Sequence, residues 1–363
     1  MNDRVFLAVC GFLTLAGAGS ALAQAPVAAP ISACLDVVDD SARLACYDRA
    51  HGRLARTAAD PVPTRPALAA TLAPPTAAPV SVPVPAAAAT DMTLYSSLAE
   101  RWDLRGHTGE LFAPRAYRPV YVLPATYTDR LNRSPSSPSP DHTVPSPLEL
   151  RPVETKYQIS LKAKLLPDIL GLPVSLWGGY TQSSRWQVYS GADSRPFRET
   201  NYEPEAMLVW PMKGEILGWQ MRMASVSLNH QSNGRSLPLS RSWNRVIGTL
   251  ALERGEWVAE LRPWGRIYEG SNEDDNPDIL NYIGRGELLL SRYWGNHALS
   301  FQLRHSLRLA QKSRGSGQLD YVFPLTGALH GHLQIFSGYG ESMIDYNVRQ
   351  TKVGLGVTIA GWR

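Results

Sequence analysis

The chain is 363 residues long, with 36 Lys and Arg against 32 Asp and Glu and a formal net charge of +4. That balance decides little by itself, but nothing in the sequence resembles a nucleic-acid-binding motif, a Walker loop or a metal-binding cluster of Cys and His, so no nucleic-acid partner is expected. Beyond the N-terminal segment no stretch is long and apolar enough for a membrane helix, and any passage through a bilayer has to use strands closed into a barrel.

Residues 1–23 open on the basic Arg4, run through apolar residues from Val5 to Ala18 and end on Ala21-Leu22-Ala23. That arrangement predicts a secretory signal peptide. Cys10 leaves with it, so the mature chain keeps Cys34 and Cys46, and an even count in an exported protein predicts a disulfide between them. Residues 24–56 are expected to form a small periplasmic helical hairpin stapled by that bond, two short helices broken near Asp39 and Asp40 with Ser41 as an N-cap. From 57 to 92 the composition collapses to Ala, Pro, Val and Thr, which predicts a disordered linker. Residues 93–363 form the remaining domain. Its first part is irregular, and the piece from Tyr121 to Tyr127 is expected to cross or plug a barrel.

From about Tyr157 the pattern becomes period two. In Tyr157-Gln158-Ile159-Ser160-Leu161-Lys162-Ala163-Lys164-Leu165 every odd position is apolar and every even one polar, and Phe301-Gln302-Leu303-Arg304 and Val353 to Ile359 repeat the theme. Such segments fit strands with one face on lipid and one on a polar lumen. The roughly 207 residues from Tyr157 to the end hold about twelve strands at about ten residues each plus connections, predicting an all-β, antiparallel transmembrane barrel. An even strand number puts both barrel ends, and the Cys module, on the periplasmic side.

The stretch from Asn229 to Arg245 carries the candidate chemistry. Its Gly/Pro/Ser-rich middle predicts the turn of an antiparallel hairpin centred on Leu237, with Ser232 opposite Ser242 and His230 opposite Asn244. His230 and Ser232 are two residues apart and share one strand face. A serine nucleophile needs a base, and the base needs a third group to hold its tautomer; here that group is the amide of Asn244. Gly234 offers an unobstructed N–H as an oxyanion donor. Read by twos, this face continues through Leu228, Val226 and Ala224, and on the other strand through Val246 and Leu250. The candidate nucleophile therefore lies on the apolar face, which in a barrel looks outward into lipid.

Gln182 also falls on an outward face, in the series Val174, Leu176, Gly178, Tyr180, Gln182. An amide left unpaired in hydrocarbon costs several kcal/mol, so it is expected to meet its own copy in a second chain. The competing class is a non-enzymatic outer-membrane barrel, either a pore or a structural anchor, for which the same alternation would serve.

Several longer runs occur in one order: Tyr180-Thr181-Gln182; Pro196 to Pro204; Asn233-Gly234-Arg235-Ser236 with Ser240 to Arg245; Asp274-Asp275-Asn276-Pro277-Asp278-Ile279; and Phe336 to Ser342 with Ile344-Asp345-Tyr346-Asn347. Together they closely resemble the outer membrane phospholipase A family over about residues 94–363. The resemblance implies a twelve-stranded barrel of the Gram-negative outer membrane that hydrolyses acyl esters of phospholipids and lysophospholipids with A1 and A2 activity, activated by calcium and by homodimerisation. It implies Ser232 as nucleophile, His230 as base, Asn244 as orienting amide and Gly234 as oxyanion donor. Calcium ligation is implied for the Arg235 carbonyl and Ser240 hydroxyl of one subunit and the Ser194 carbonyl of the other, with Gln182 as the dimer contact. Two positions depart from the family. Leu237 stands where the enterobacterial form has an acid that shares a second calcium site with the residue matching Asp275, and Ser194 is followed by Arg195 instead of Ser. Calcium prefers oxygen ligands, which Leu237 lacks, so Asp275 is at most a weak second site.

Overall fold

From Val120 onward the side chains alternate between two unlike surroundings, and that alternation forces the architecture. The structure is a computed structural model describing residues 34, 36–50, 97–104, 110–191, 194–270, 274–309 and 313–360. The signal peptide and the linker over 57–92 lie outside the described residues, as does most of the rest of the 24–56 module. By internal contacts the chain separates into two units, Met1–Val82 and Pro83–Arg363.

In the first unit, a disulfide joins Cys34 to Cys46. Helix α1 spans Asp40–Ala50. Its capping group is the Asp39 carboxylate, which accepts from the Ala42 N–H at 2.8 Å, where Ser41 was expected. A carboxylate at that position also complements the helix dipole, and the Ser41 hydroxyl is drawn into the cap as a second donor to it.

The second unit holds twelve long strands: β1 Val120–Thr128, β2 Val153–Leu166, β3 Ser175–Trp186, β4 Phe197–Pro211, β5 Trp219–Ser232, β6 Ser242–Arg254, β7 Trp257–Ile267, β8 Gly286–Trp294, β9 His297–His305, β10 Gly315–Thr326, β11 Leu329–Gly338 and β12 Gln350–Ala360. Each pairs antiparallel with its chain neighbours, and β12 pairs with β1, so the sheet closes with no free edge. Two-residue bridges, Arg115–Ala116 on β2 and Glu215–Ile216 on β5, attach at its ends.

The wall is inverted relative to a soluble protein. On β5, Val226 and Leu228 are 43% and 60% exposed while Ser225, Ser227 and Asn229 are at most 5% exposed. Ile159 and Leu161 on β2, Leu261 on β7, Phe301 and Leu303 on β9, and Val353 and Leu355 on β12 continue the outward apolar band. A band of that extent around a closed sheet is stable only against hydrocarbon.

The segment expected to cross or plug the lumen is instead β1, and the strands begin at Val120, about forty residues before the clear alternation. Pro124 hides it in the sequence, since proline has no N–H for a ladder. The barrel accommodates it at register shifts, between Leu123 and Thr126 against β2 and between Leu355 and Val357 against β12, and the Pro124 carbonyl still accepts from the Thr155 hydroxyl at 2.9 Å.

Inside the barrel, helix α2 (Leu98–Arg101), started by a capping box between Ser97 and Glu100, packs Leu98 and Trp102 against Tyr117, Trp177, Met207 and Met223. The Lys162 ammonium, with no hydrogen-bond partner among the described residues, sits 3.2 Å from the centre of the Trp102 ring. A second cluster of Trp243, Ile247, Trp264, Ile279, Ile283, Met343 and Tyr346 packs apart from this one. The polar lumen is cross-linked by charge: Glu203 meets Arg118 and Arg245, each at 3.0 Å, and Glu341 meets Arg185, Lys156 and Lys352 at 2.8–3.0 Å. The lumen cavity between these groups measures about 100 Å³. That packing is unlike an open diffusion pathway and argues against the pore alternative.

Candidate active site

The candidate residues gather on the hairpin of β5 and β6. Its register pairs His230 with Asn244 and Ser232 with Ser242. Antiparallel partners share a face, so the two side chains of the first pair meet outside the barrel, with His230 Nδ1 and Asn244 Oδ1 2.8 Å apart. Ser232 is the last residue of β5, on the same face as His230 and next to it along the strand. His230 is exposed, and Ser232 and Asn244 are half-buried.

The connection from 233 to 241 is tied down by Asn233, which lies on the lumen side and is buried. Its N–H donates to the Arg241 carbonyl at 3.0 Å, its Oδ1 accepts from the Arg241 and Arg235 N–H groups, and its Nδ2 donates to the Leu239 carbonyl at 2.8 Å. The Asn-Gly dipeptide signals such a turn, although Asn233 was not expected to have a role of its own. Gly234 follows with φ of 61°, and a Cβ there would lie 3.1 Å from the Tyr202 ring.

Behind the turn stands Asp275. Its Oδ2 accepts from the Ser240 hydroxyl at 2.8 Å and the Ser242 hydroxyl at 3.1 Å, and its Oδ1 lies 2.9 Å from His142 Nε2. His142 Nδ1 faces the Pro140 carbonyl, an acceptor only, so it must carry a hydrogen. His142 was not expected at the site; more than ninety residues separate it from the turn in the chain.

For a calcium ion the test is the donor set. Ser240 directs its hydroxyl hydrogen at Asp275, which leaves the oxygen's lone pairs for a cation, and the Arg235 carbonyl stands on the same short connection. Hard oxygen donors of this kind fit calcium. The Asp275 carboxylate is engaged by two hydroxyls and an imidazole, and the Leu237 side chain carries no oxygen. Ser194 lies elsewhere, in the connection between β3 and β4, exposed and with φ of 56°. Gln182, expected to meet its own copy in a second chain, lies on β3 and has partners within its own strand. Its Oε1 accepts from the Tyr180 hydroxyl at 3.1 Å and its Nε2 reaches the Ser184 hydroxyl at 3.5 Å. Residues two apart on one face supply those partners, so the amide's own polarity does not demand a second copy.

One residue joins the constellation without any hint in the sequence. Glu269, two residues past the end of β7, accepts from Asn244 Nδ2 at 2.6 Å. The pairing of Asn244 with Ile267 is what brings the chain there.

Comparison with known proteins converges on one group. The sequence profile of the phospholipase A1 family matches residues 98–359. A putative phospholipase A1 of Neisseria meningitidis is 37% identical over 271 residues, 73% of this chain and 70% of that protein. The phospholipase A1 of Escherichia coli is 42% identical over 206 residues, covering 57% and 69%. Among solved structures, outer membrane phospholipase A from Escherichia coli superposes with a TM-score of 0.62 at 35% identity, over 72% of this chain and 96% of that one. The Salmonella typhi outer membrane phospholipase, a dimer with bound calcium, gives 0.63 at 35% identity over 72% and 98%.

Proposed function

This chain belongs to the phospholipase A1 family, and on that premise we propose that it is a calcium-dependent outer-membrane phospholipase whose Ser232, His230 and Asn244 hydrolyse acyl esters at the lipid-facing surface of the barrel. The observation that carries the proposal is the 2.8 Å contact between His230 Nδ1 and Asn244 Oδ1 on the outward, apolar face, beside a serine at the strand end.

The chemistry follows from donors and acceptors. An amide oxygen accepts only, so His230 Nδ1 holds the proton and Nε2 keeps the lone pair. Nε2 takes the proton of the Ser232 hydroxyl as Oγ attacks the ester carbonyl, and Asn244 steadies the imidazolium that forms. The Gly234 N–H is the donor for the developing oxyanion. Collapse of the tetrahedral species breaks the acyl C–O bond while His230 returns the proton to the departing lysolipid oxygen, and water deacylates the serine by the same route. The resemblance to outer membrane phospholipase A extends the proposal to both glycerol ester positions, activity of A1 and A2 type on phospholipids and lysophospholipids. The outward face lets the ester reach the serine without leaving the membrane interface.

Calcium, when bound, supplies a Lewis acid beside the oxyanion. The Arg235 carbonyl and Ser240 hydroxyl would hold it from one chain and the Ser194 carbonyl from a second, so that the active form is a homodimer with Gln182 at its contact. The calcium-bound dimer among the relatives supports this. Asp275 serves as partner of Ser240 and Ser242, with a second metal disfavoured by Leu237. The N-terminal module carrying the disulfide is assigned to the periplasm.

Fatty-acid release from phosphatidylethanolamine vesicles tests the proposal. Wild type is expected to release it in calcium and to stop in chelator, and Ser232→Ala to be inactive in both. Equal rates for the two proteins would remove the catalytic assignment.

A further inference from the structure

The triad ends in a neutral amide, and an amide is ambiguous: turned by 180° about its last bond, Asn244 presents N–H instead of oxygen to His230. In the turned state Nδ2 would donate to His230 Nδ1, which must then be the unprotonated nitrogen. The proton moves to Nε2, and the base that should receive the Ser232 proton no longer has a lone pair for it. Something has to choose between the two states, and no member of the triad does.

We propose that Glu269 makes that choice: it is a positioning residue that fixes the orientation of the Asn244 amide and through it the tautomer of His230. This rests on the hydrolytic role proposed above for Ser232, His230 and Asn244. The Glu269 Oε1 lies 2.6 Å from Asn244 Nδ2. An ionised carboxylate only accepts, so the amide must turn its N–H toward Glu269, and its oxygen is left facing the imidazole at 2.8 Å. The other carboxylate oxygen is shielded from solvent and has no hydrogen-bond partner among the described residues, which concentrates the acceptor demand of the side chain on Asn244. Burial pushes the Glu269 carboxyl up, against the pull of Arg266. Among the described residues Glu269 hydrogen-bonds to Asn244 and to neither the serine nor the imidazole. It acts only through Asn244.

The same contact accounts for an amide in a place where an acid is the commoner choice. An aspartate at 244 would set two carboxylates at hydrogen-bonding distance, and like charges that close disfavour both being ionised. Glu269 and Asn244 are thus a matched pair, one acceptor and one donor, and an acid placed at 244 should do harm that an amide placed at 269 repairs.

The test uses the purified full-length protein and phosphatidylethanolamine in mixed micelles. Glu269→Ala is expected to lower kcat by about ten- to a hundred-fold, the range for losing one hydrogen bond to a charged group, with KM held within about twofold. Glu269→Gln keeps an acceptor and should recover most of that loss. Asn244→Asp is expected to be poor with Glu269 present and to gain activity in the Glu269→Gln background, where the new amide donates to the new carboxylate. A merely structural role for Glu269 predicts no such reversal. Wild-type kcat in Glu269→Ala, or the same Asn244→Asp penalty in both backgrounds, overturns the inference while an inactive Ser232→Ala leaves the triad standing. A Ser232→Ala variant as active as wild type instead defeats the reading beneath it. Retained heat-modifiable migration of each variant shows that the barrel has folded.

Discussion

Gly234 carries two constraints at once, a left-handed φ of 61° and a ring 3.1 Å from where a Cβ would be, and both act on the N–H that faces the oxyanion in our proposal. Alanine there costs about 1–2 kcal/mol in backbone conformation alone and must also displace Tyr202 or move the turn. Gly234→Ala is expected to lower kcat by roughly tenfold or more and the unfolding temperature by only about a few degrees, read as kcat on micellar substrate beside a thermal melt. Leu237 acts by what its side chain lacks: with no second acid to join Asp275, calcium titration by isothermal calorimetry should fit one class of site per active centre. Leu237→Asp is expected to add a weaker second class, and two classes in the wild type would refute the single-site assignment.

Among the elements, β5 shows how alternation divides the work. Its lumen face anchors the strand, with the Ser227 hydroxyl donating to Glu205 at 2.6 Å and Asn229 to Glu203 at 3.0 Å, and its outer face meets lipid and ends in the candidate site. Val226→Arg, at the strand centre on the lipid side, is expected to destabilise by about 2–4 kcal/mol in a reversible urea titration in lipid vesicles, and less if its depth lies near the interface. Strand β1 is needed for closure. A chain from which everything up to Thr128 is removed would leave β2 and β12 as open edges and should fail to give a heat-modifiable barrel. Truncation at about Thr90 keeps α2 and β1, and should leave assembly and hydrolysis within about twofold of wild type, because Pro83–Arg363 forms a compact unit of its own.

At the scale of the molecule, rigidity comes from the charged lumen. Burial alone would push the Glu341 carboxyl up, and Arg185, Lys156 and Lys352 together override it and hold it well below the usual carboxylate range. A carboxyl depressed on folding stabilises the native state above its unfolded pKa, near 4.3, and that stability is lost only as pH falls through the still lower folded value. The barrel should therefore keep its unfolding midpoint through mildly acid conditions and weaken only in strong acid. Glu341→Gln leaves three buried cations short of a counter-charge and is expected to cost about 3–5 kcal/mol at neutral pH, read from the denaturant midpoint. An unchanged midpoint would mean that the remaining carboxylates rearrange to cover the loss.

Period-two alternation was legible in the sequence because each strand meets lipid on one side and the lumen on the other, and the inward and outward sets follow from position alone. The hairpin register was legible too, since a short turn leaves few ways to pair His230 and Asn244. Resemblance to relatives added the fold and the chemistry to look for. Barrel closure was less legible: β1 carries Pro124, and only its pairing with β12 reveals a strand there. The lumen lattice, the stopper formed by α2, His142 behind Asp275 and Glu269 against Asn244 join residues tens to hundreds of positions apart. Local pattern determines which face a side chain occupies, whereas its neighbour across the barrel or at the rim is decided by strand order, stagger and the path of the connections, and those exist only once the sheet has closed.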